Sequence, residues 1–190
     1  MHVHFEQARA EAVTWARDVL AQGFVLFDSE TTGLDSDDEF VQLGVIDHTG
    51  AVLLDTLVRP TQPISPGAAQ VHGYSELHLL RAPRFPAVYP ALAGALAGRR
   101  VIVYNADFDR RILHQACSRY GLPPVAATDW DCAMKQYARY RGVWNSWHND
   151  FRWHRLTAAC TWEQIHVQDA HSAVGDCRMA LELIRCMAAG

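Results

Sequence analysis

Apolar residues recur at helical spacing between residues 3 and 22 (Phe5, Ala8, Ala12, Val13, Ala16, Val19, Leu20), and Gly23 follows. That pattern predicts an amphipathic helix ended by glycine. The period then changes. FVLFD (24–28) is apolar almost throughout, as a buried strand would be. EFVQLGVID (39–47) and AVLLDTLVRP (51–60) flank His48-Thr49-Gly50 and predict an antiparallel hairpin. Ser65-Pro66 supplies helix-start chemistry within residues 63–74, because proline suits the first turn. Further along, the pattern predicts a helix over 86–97 stopping at Gly98, a short buried strand VIVY (101–104), and a helix over 106–120 closed by Gly121. A strand VAAT (125–128), helices near 130–140 and 155–160, and a final helix over 171–187 complete the chain.

Three consecutive strands followed by helices alternating with single strands predict an α/β domain with a mixed sheet flanked by helices. Such a sheet gathers strand ends and helix starts around one cleft. No repeat, linker or low-complexity tract interrupts the 190 residues, so the expected organisation is an N-terminal helix (1–22) on a single domain (23–190).

Composition adds exclusions. Hydrophobic residues make up 49% and charged residues 20%, a balance that supports a packed core. No apolar run approaches the ~20 residues that span a bilayer. MHVHFEQARAEAVTWARDVL lacks the basic start and apolar stretch of a secretory signal, so a cytoplasmic location is expected. The five cysteines (Cys117, Cys132, Cys160, Cys177, Cys186) are scattered without a C-x-x-C pair, which fits reduced thiols and no zinc site. A net charge of -4 argues against a protein that coats long duplexes. It leaves room for an enzyme that grips a few nucleotides with help from bound cations. No G-x-G-x-x-G follows the first strand, which removes dinucleotide binding.

Four acids carry the candidate chemistry. Asp28 and Glu30 end the first strand, two residues apart and so on one face. Thr31-Thr32-Gly33 follows, and glycine there offers backbone freedom for amides to approach a ligand. Asp109 opens the helix after VIVY, and Asp176 lies in the last helix with His171 five residues earlier. Converging carboxylates suit magnesium, and a pair of such ions suits phosphodiester hydrolysis. Singly, each has a bland reading: a solvated strand end, a charge favoured by a helix N-terminus, or an exposed helix residue.

Together the motifs FVLFDSETTGLD (24–35), VIVYNADFDRRIL (101–113) and AHSAVGDCRMALEL (170–183) resemble the DnaQ-like, DEDDh-type exonucleases, in the family's order. The sister type would carry tyrosine four residues before the last aspartate, where Ser172 stands. VHGYS (71–75) is similar to the family's histidine-glycine segment. The resemblance implies a ribonuclease H-like fold and a metal-dependent 3′–5′ exonuclease. Its expected action is to release nucleoside 5′-monophosphates from DNA 3′ ends, with single strands favoured. An exoribonuclease for short RNA and a nuclease-fold binding subunit are the alternatives. Two divalent ions, Mg2+ or Mn2+, would be held by Asp28, Glu30, Asp109 and Asp176, with Asp28 shared between them. His171 would be the general base, a role suited to an imidazole near neutral pH. Thr31 and Thr32 (through their amides), Leu34, His72, Asn105 and Phe108 would contact the terminal nucleotide. Nothing like the polymerase-binding tail of proofreading subunits follows the last helix, so stable polymerase association is not expected.

RYRGVWNSWHNDFRWHR (139–155) interleaves aromatics with cations. It reads either as a platform on which bases stack or as tryptophans packing an irregular connection onto the core. Metal binding by His148 and His154 is disfavoured, since no acid or cysteine spacing accompanies them.

Overall fold

The computed structural model describes residues 2–167 and 169–190, so Met1 of the expected N-terminal helix lies outside them. The chain opens with α1 (His2–Gln22), whose Ala8, Ala12, Ala16 and Val19 are buried against later helices. β1 (Val25–Thr31), β2 (Phe40–Asp47) and β3 (Val52–Leu57) form an antiparallel meander, as their apolar runs and the 48–50 turn predict. α2 (Pro66–His72) starts at Ser65, whose Oγ accepts the Ala68 N–H at 3.2 Å. A single turn, α3 (Glu76–Leu79), precedes α4 (Phe85–Leu96). Then come β4 (Arg100–Val103), α5 (Ala106–Arg119), β5 (Asp129–Cys132) and α6 (Ala133–Arg141). A two-residue ladder of β6 (Trp144–Asn145) and β7 (Asp150–Phe151) follows, then α7 (Leu156–Trp162) and α8 (Ala173–Ala189).

The main sheet runs β3-β2-β1-β4-β5, with β1, β4 and β5 parallel. This is a mixed sheet, as the sequence predicts. The strand predicted over 125–128 lies one segment too early. Those residues contribute only isolated bonds, Gly98 N–H to Ala126 O and Thr128 N–H to Arg99 O, and the ladder begins at Asp129. Tertiary contacts override weak strand propensity there: Arg100 pairs with Asp131, and Trp130 packs edge-on to Phe27 at 6.4 Å. The helix predicted near 130 therefore starts at Ala133, and the last helix starts at Ala173, after His171. Among the described residues no helix is long and apolar enough to cross a membrane.

Alternation along β1 divides the core. Phe24 and Leu26 join one cluster with α1, α6, α7 and α8; Val25 and Phe27 join the other with α4 and α5. Continuing that alternation aims Asp28 and Glu30 at the α8 layer and Ser29 at the α5 layer. Gly44 lies opposite Asp28 in the β1–β2 ladder. A methyl group added there would lie 2.7 Å from the Ala173 carbonyl carbon and 2.8 Å from the Val174 nitrogen. The start of α8 therefore rests directly on the backbone of β2.

Candidate active site

That contact brings Asp176, four residues into α8, over the end of β1. Oxygens of Asp28, Glu30 and Asp176 lie within 4.8 Å of one another, the only such group of ligating side chains among the described residues. Asp109 arrives from the opposite layer. It is buried, and Ser29 donates its hydroxyl to Asp109 Oδ1 at 2.6 Å. One strand thus uses both faces, carrying two acids on one and a tether for another acid on the other.

The electrostatics are unfavourable by construction. Burial first, and then the charges of Asp109, Asp176 and Glu30, push Asp28 well above the usual carboxylate range. Burial, then Asp176 and Asp109, raise Glu30 to about 8. Asp109 rises to about 7 through burial, against the opposing pull of the Ser29 hydrogen bond. Asp176 is raised by burial, moderated by the His171 N–H and by the charge of that histidine. None of the four pairs with lysine or arginine among the described residues. Crowded, desolvated carboxylates without a cationic partner are hard oxygen donors suited to a divalent cation. The donor set therefore fits the metal chemistry expected from sequence.

His171 precedes the N-cap Ser172 and adopts φ 64, the left-handed region, at a cost on the order of 1 kcal/mol for a side chain of this kind. Its N–H donates to Asp176 Oδ1 at 3.0 Å. At the α8 start Gly175 N–H donates to Ser172 Oγ, and Ala173 N–H to Gln42 Oε1 at 3.0 Å. His171 is exposed and, with Asp176 and Asn105, borders a cavity of about 560 Å³.

The expected nucleotide contacts divide into two groups. His72 Nδ1 accepts the Tyr74 N–H at 3.0 Å, so its Nε2–H is the donor to the Thr31 carbonyl at 3.2 Å. Partial burial lowers the His72 pKa, with the charge of nearby His171 adding to it. Leu34 is 77% exposed, and Arg111 holds its carbonyl at 3.0 Å. Phe108 is half-buried beneath the Arg111 guanidinium, and Asn105 is exposed with no capping bond. Thr32 differs from expectation. It is fully buried, its N–H donates to Glu39 O, and its hydroxyl donates to Asp38 at 2.5 Å, so both groups are spent on the fold. Gly33 also differs: its φ is not left-handed, and its missing side chain instead admits the Asp38 carboxylate, 2.6 Å from where a Cβ would stand.

Sequence reasoning missed Ser29, Gly44, Gln42 and Arg111. Ser29 was within reach, since strand alternation turns it away from both neighbouring acids; the others are defined only by tertiary contact.

In the 139–155 segment the packing alternative fails for three tryptophans. Trp144, Trp147 and Trp153 are 46%, 90% and 53% exposed. Trp144 meets Phe151 edge-to-face at 5.4 Å across the β6–β7 ladder. His148 is exposed, while His154 is buried with its ring edge-on to Trp162 at 4.8 Å. Neither belongs to a metal-type grouping among the described residues.

Comparison with known proteins bears on this arrangement. The family described as Exonuclease (RNase T) matches residues 25–184. An uncharacterized exonuclease, CP81 of Escherichia phage 186, is 35% identical over 181 residues, covering 92% of this chain and 93% of that protein. Exodeoxyribonuclease 10 of Escherichia coli strain K12 is 32% identical over 111 residues, which span 58% of this chain and 44% of that enzyme. A solved structure, Exonuclease X in complex with 5′ overhanging duplex DNA, superposes with a TM-score of 0.63 at 27% identity, covering 87% of this chain and 92% of that one.

Proposed function

This chain belongs to the DnaQ-like exonuclease family, and from that premise we propose that it is a 3′–5′ exonuclease of the DEDDh type acting on DNA 3′ ends presented as single strands. The observation that carries the reading is the convergence of Asp28, Glu30 and Asp176 within 4.8 Å, with buried Asp109 tethered to the same strand. The exonuclease unit is proposed to be residues 23–190, with the helix of 1–22 packed against it. DNA is favoured because a structural relative at 27% identity is in complex with DNA and another relative is named an exodeoxyribonuclease.

Asp28, Glu30 and Asp176 would hold one divalent ion, Mg2+ or Mn2+, and Asp28 with Asp109 a second. When bound, these ions supply a water of nucleophilic strength and offset charge on the phosphate during phosphodiester hydrolysis. The protein's own groups do the rest. His171, exposed beside Asp176, accepts the proton lost by the attacking water. The water oxygen bonds to phosphorus, the P–O3′ bond of the preceding nucleotide breaks, and a nucleoside 5′-monophosphate leaves. His72 holds the end of β1 through the Thr31 carbonyl, keeping Asp28 and Glu30 in place beside the terminal sugar. Leu34, Asn105 and Phe108 would contact the terminal nucleotide, a reading supported by the exposure of the first two and the half-burial of the third.

The test uses 5′-labelled single-stranded DNA and RNA oligomers with magnesium. The expected result is a ladder of DNA shortened from the 3′ end, stopped by a chelator and blocked by a 3′-phosphate. His171→Ala should slow turnover by roughly 10²–10⁴-fold while oligomer affinity is kept. RNA cleaved with equal or higher kcat/KM would overturn the DNA assignment, and full activity in chelator would overturn the metal-dependent reading.

A further inference from the structure

Trp153 joins two cavities. It borders the 560 Å³ cavity that reaches His171 and Asp176, and also a cavity of about 450 Å³ against the β6–β7 hairpin, shared with Phe151 and Arg152. Its indole is 53% exposed, so it is not there to fill the core. Lys135, the one lysine of the chain, stands with Nζ 5.9 Å from the ring centroid. Arg152 and Arg155 flank Trp153 in sequence, are exposed, and form no ion pair among the described residues. Against these three cations stand Asp107, paired with Lys135 at 2.6 Å, and Asp150 in the hairpin cavity. A chain of net charge -4 thus presents a locally basic, aromatic path that leads away from its acid cleft.

We propose that Trp153, with Arg152 and Arg155, is a binding subsite for the single-stranded segment on the 5′ side of the scissile nucleotide. This deepens the reading above and rests on it: with the 3′-terminal phosphodiester at the acids, the rest of the strand must leave the cleft along one of its walls. The exposed indole offers a face on which an unpaired base stacks, and two unpaired guanidiniums offer partners for the following phosphates. A duplex would suit this surface poorly, because its base faces are already covered by their neighbours.

The experiment compares a 5′-labelled thymidylate decamer with a thymidylate dinucleotide, in magnesium, for the wild type and four variants. Trp153→Ala should raise KM for the decamer about 5- to 150-fold and leave kcat/KM on the dinucleotide unchanged, with Trp153→Phe recovering most of the loss. The double variant Arg152→Gln, Arg155→Gln should weaken decamer binding and flatten its salt dependence. Trp147→Ala, exposed at the hairpin turn and bordering neither cavity, should behave as wild type. Melting temperatures accompany each variant; if Trp153→Ala does not fold, the double arginine variant decides. An unchanged decamer KM in the folded variants overturns the proposal. So do equal losses on decamer and dinucleotide, or a Trp147→Ala loss matching that of Trp153→Ala. Wild-type protein that cleaves neither substrate overturns the exonuclease reading instead, and this inference with it.

Discussion

The acid cleft and the β6–β7 hairpin are built on opposite terms. In the cleft, four buried or half-buried carboxylates are crowded together, Asp109 and Asp176 held by hydrogen bonds, and their pKa values are displaced upward. The hairpin pairs only two residues per strand and leaves large rings in water. The cleft draws on the stability of the sheet to keep charges where they repel; the hairpin draws almost nothing from the core. Function in the first should therefore oppose stability, and in the second should be nearly independent of it.

The largest effect that tests this contrast is at Asp28. Asp28→Asn should drop nuclease turnover to background, since this residue is proposed to serve both ions. In chelator the same variant should melt at a higher temperature than wild type, because a repelling, desolvated charge is gone. Melting curves with and without magnesium check both signs. A lower melting temperature in chelator would break the contrast.

An intermediate effect should appear in the pH dependence of the metal-free protein. Each of the four acids has a folded pKa raised above its unfolded value, so the folded state binds more protons between the two. Stability then falls as pH climbs through that window, from near 4 for the unfolded carboxylates to about 7 for Asp109 and about 8 for Glu30. In chelator the melting temperature should drop between pH 5 and pH 8. Added magnesium should raise it more at pH 8 than at pH 5. A melting temperature in chelator that is flat over this range would mean the acids are not held as described.

The smallest effect belongs to the hairpin. Trp144→Ala removes the edge-to-face contact with Phe151, worth about 0.5–1.5 kcal/mol. In a chain of this size that lowers the melting temperature by no more than a few degrees. Hydrolysis of a dinucleotide should be unaffected. A collapse of the whole domain would show that the hairpin is structural after all.

The same contrast explains what the sequence made legible. The apolar run of β1 ending in Asp28 and Glu30 announced both the strand and the polarity of its end, because alternation is a local property. The hairpin of β2 and β3 and the Ser65 cap were local too. β5 was displaced from VAAT to Asp129–Cys132 because its place is set by Arg100 and Phe27, which are distant in sequence. The two-residue strands β6 and β7 are too short to carry a period. At the site, residue types and order pointed to the acids, whereas the spending of Thr32 on Asp38 and Glu39 depends on a loop closure that no spacing encodes.

Gly44 has a consequence for how such a chain tolerates change. The depth at which α8 docks, and with it the reach of Asp176 toward Asp28, is fixed by main chain resting on main chain. Side chains in the same seam, Ala173 Cβ, Gln42 Oε1 on the Ala173 N–H and Cys177 Sγ on the Gly44 carbonyl, share in setting that stand-off, whereas core residues away from the seam can be exchanged without altering it. The separation of the acids is thus sensitive to this one seam, where even a single methyl group on Gly44 would push α8, and Asp176 with it, away from the sheet.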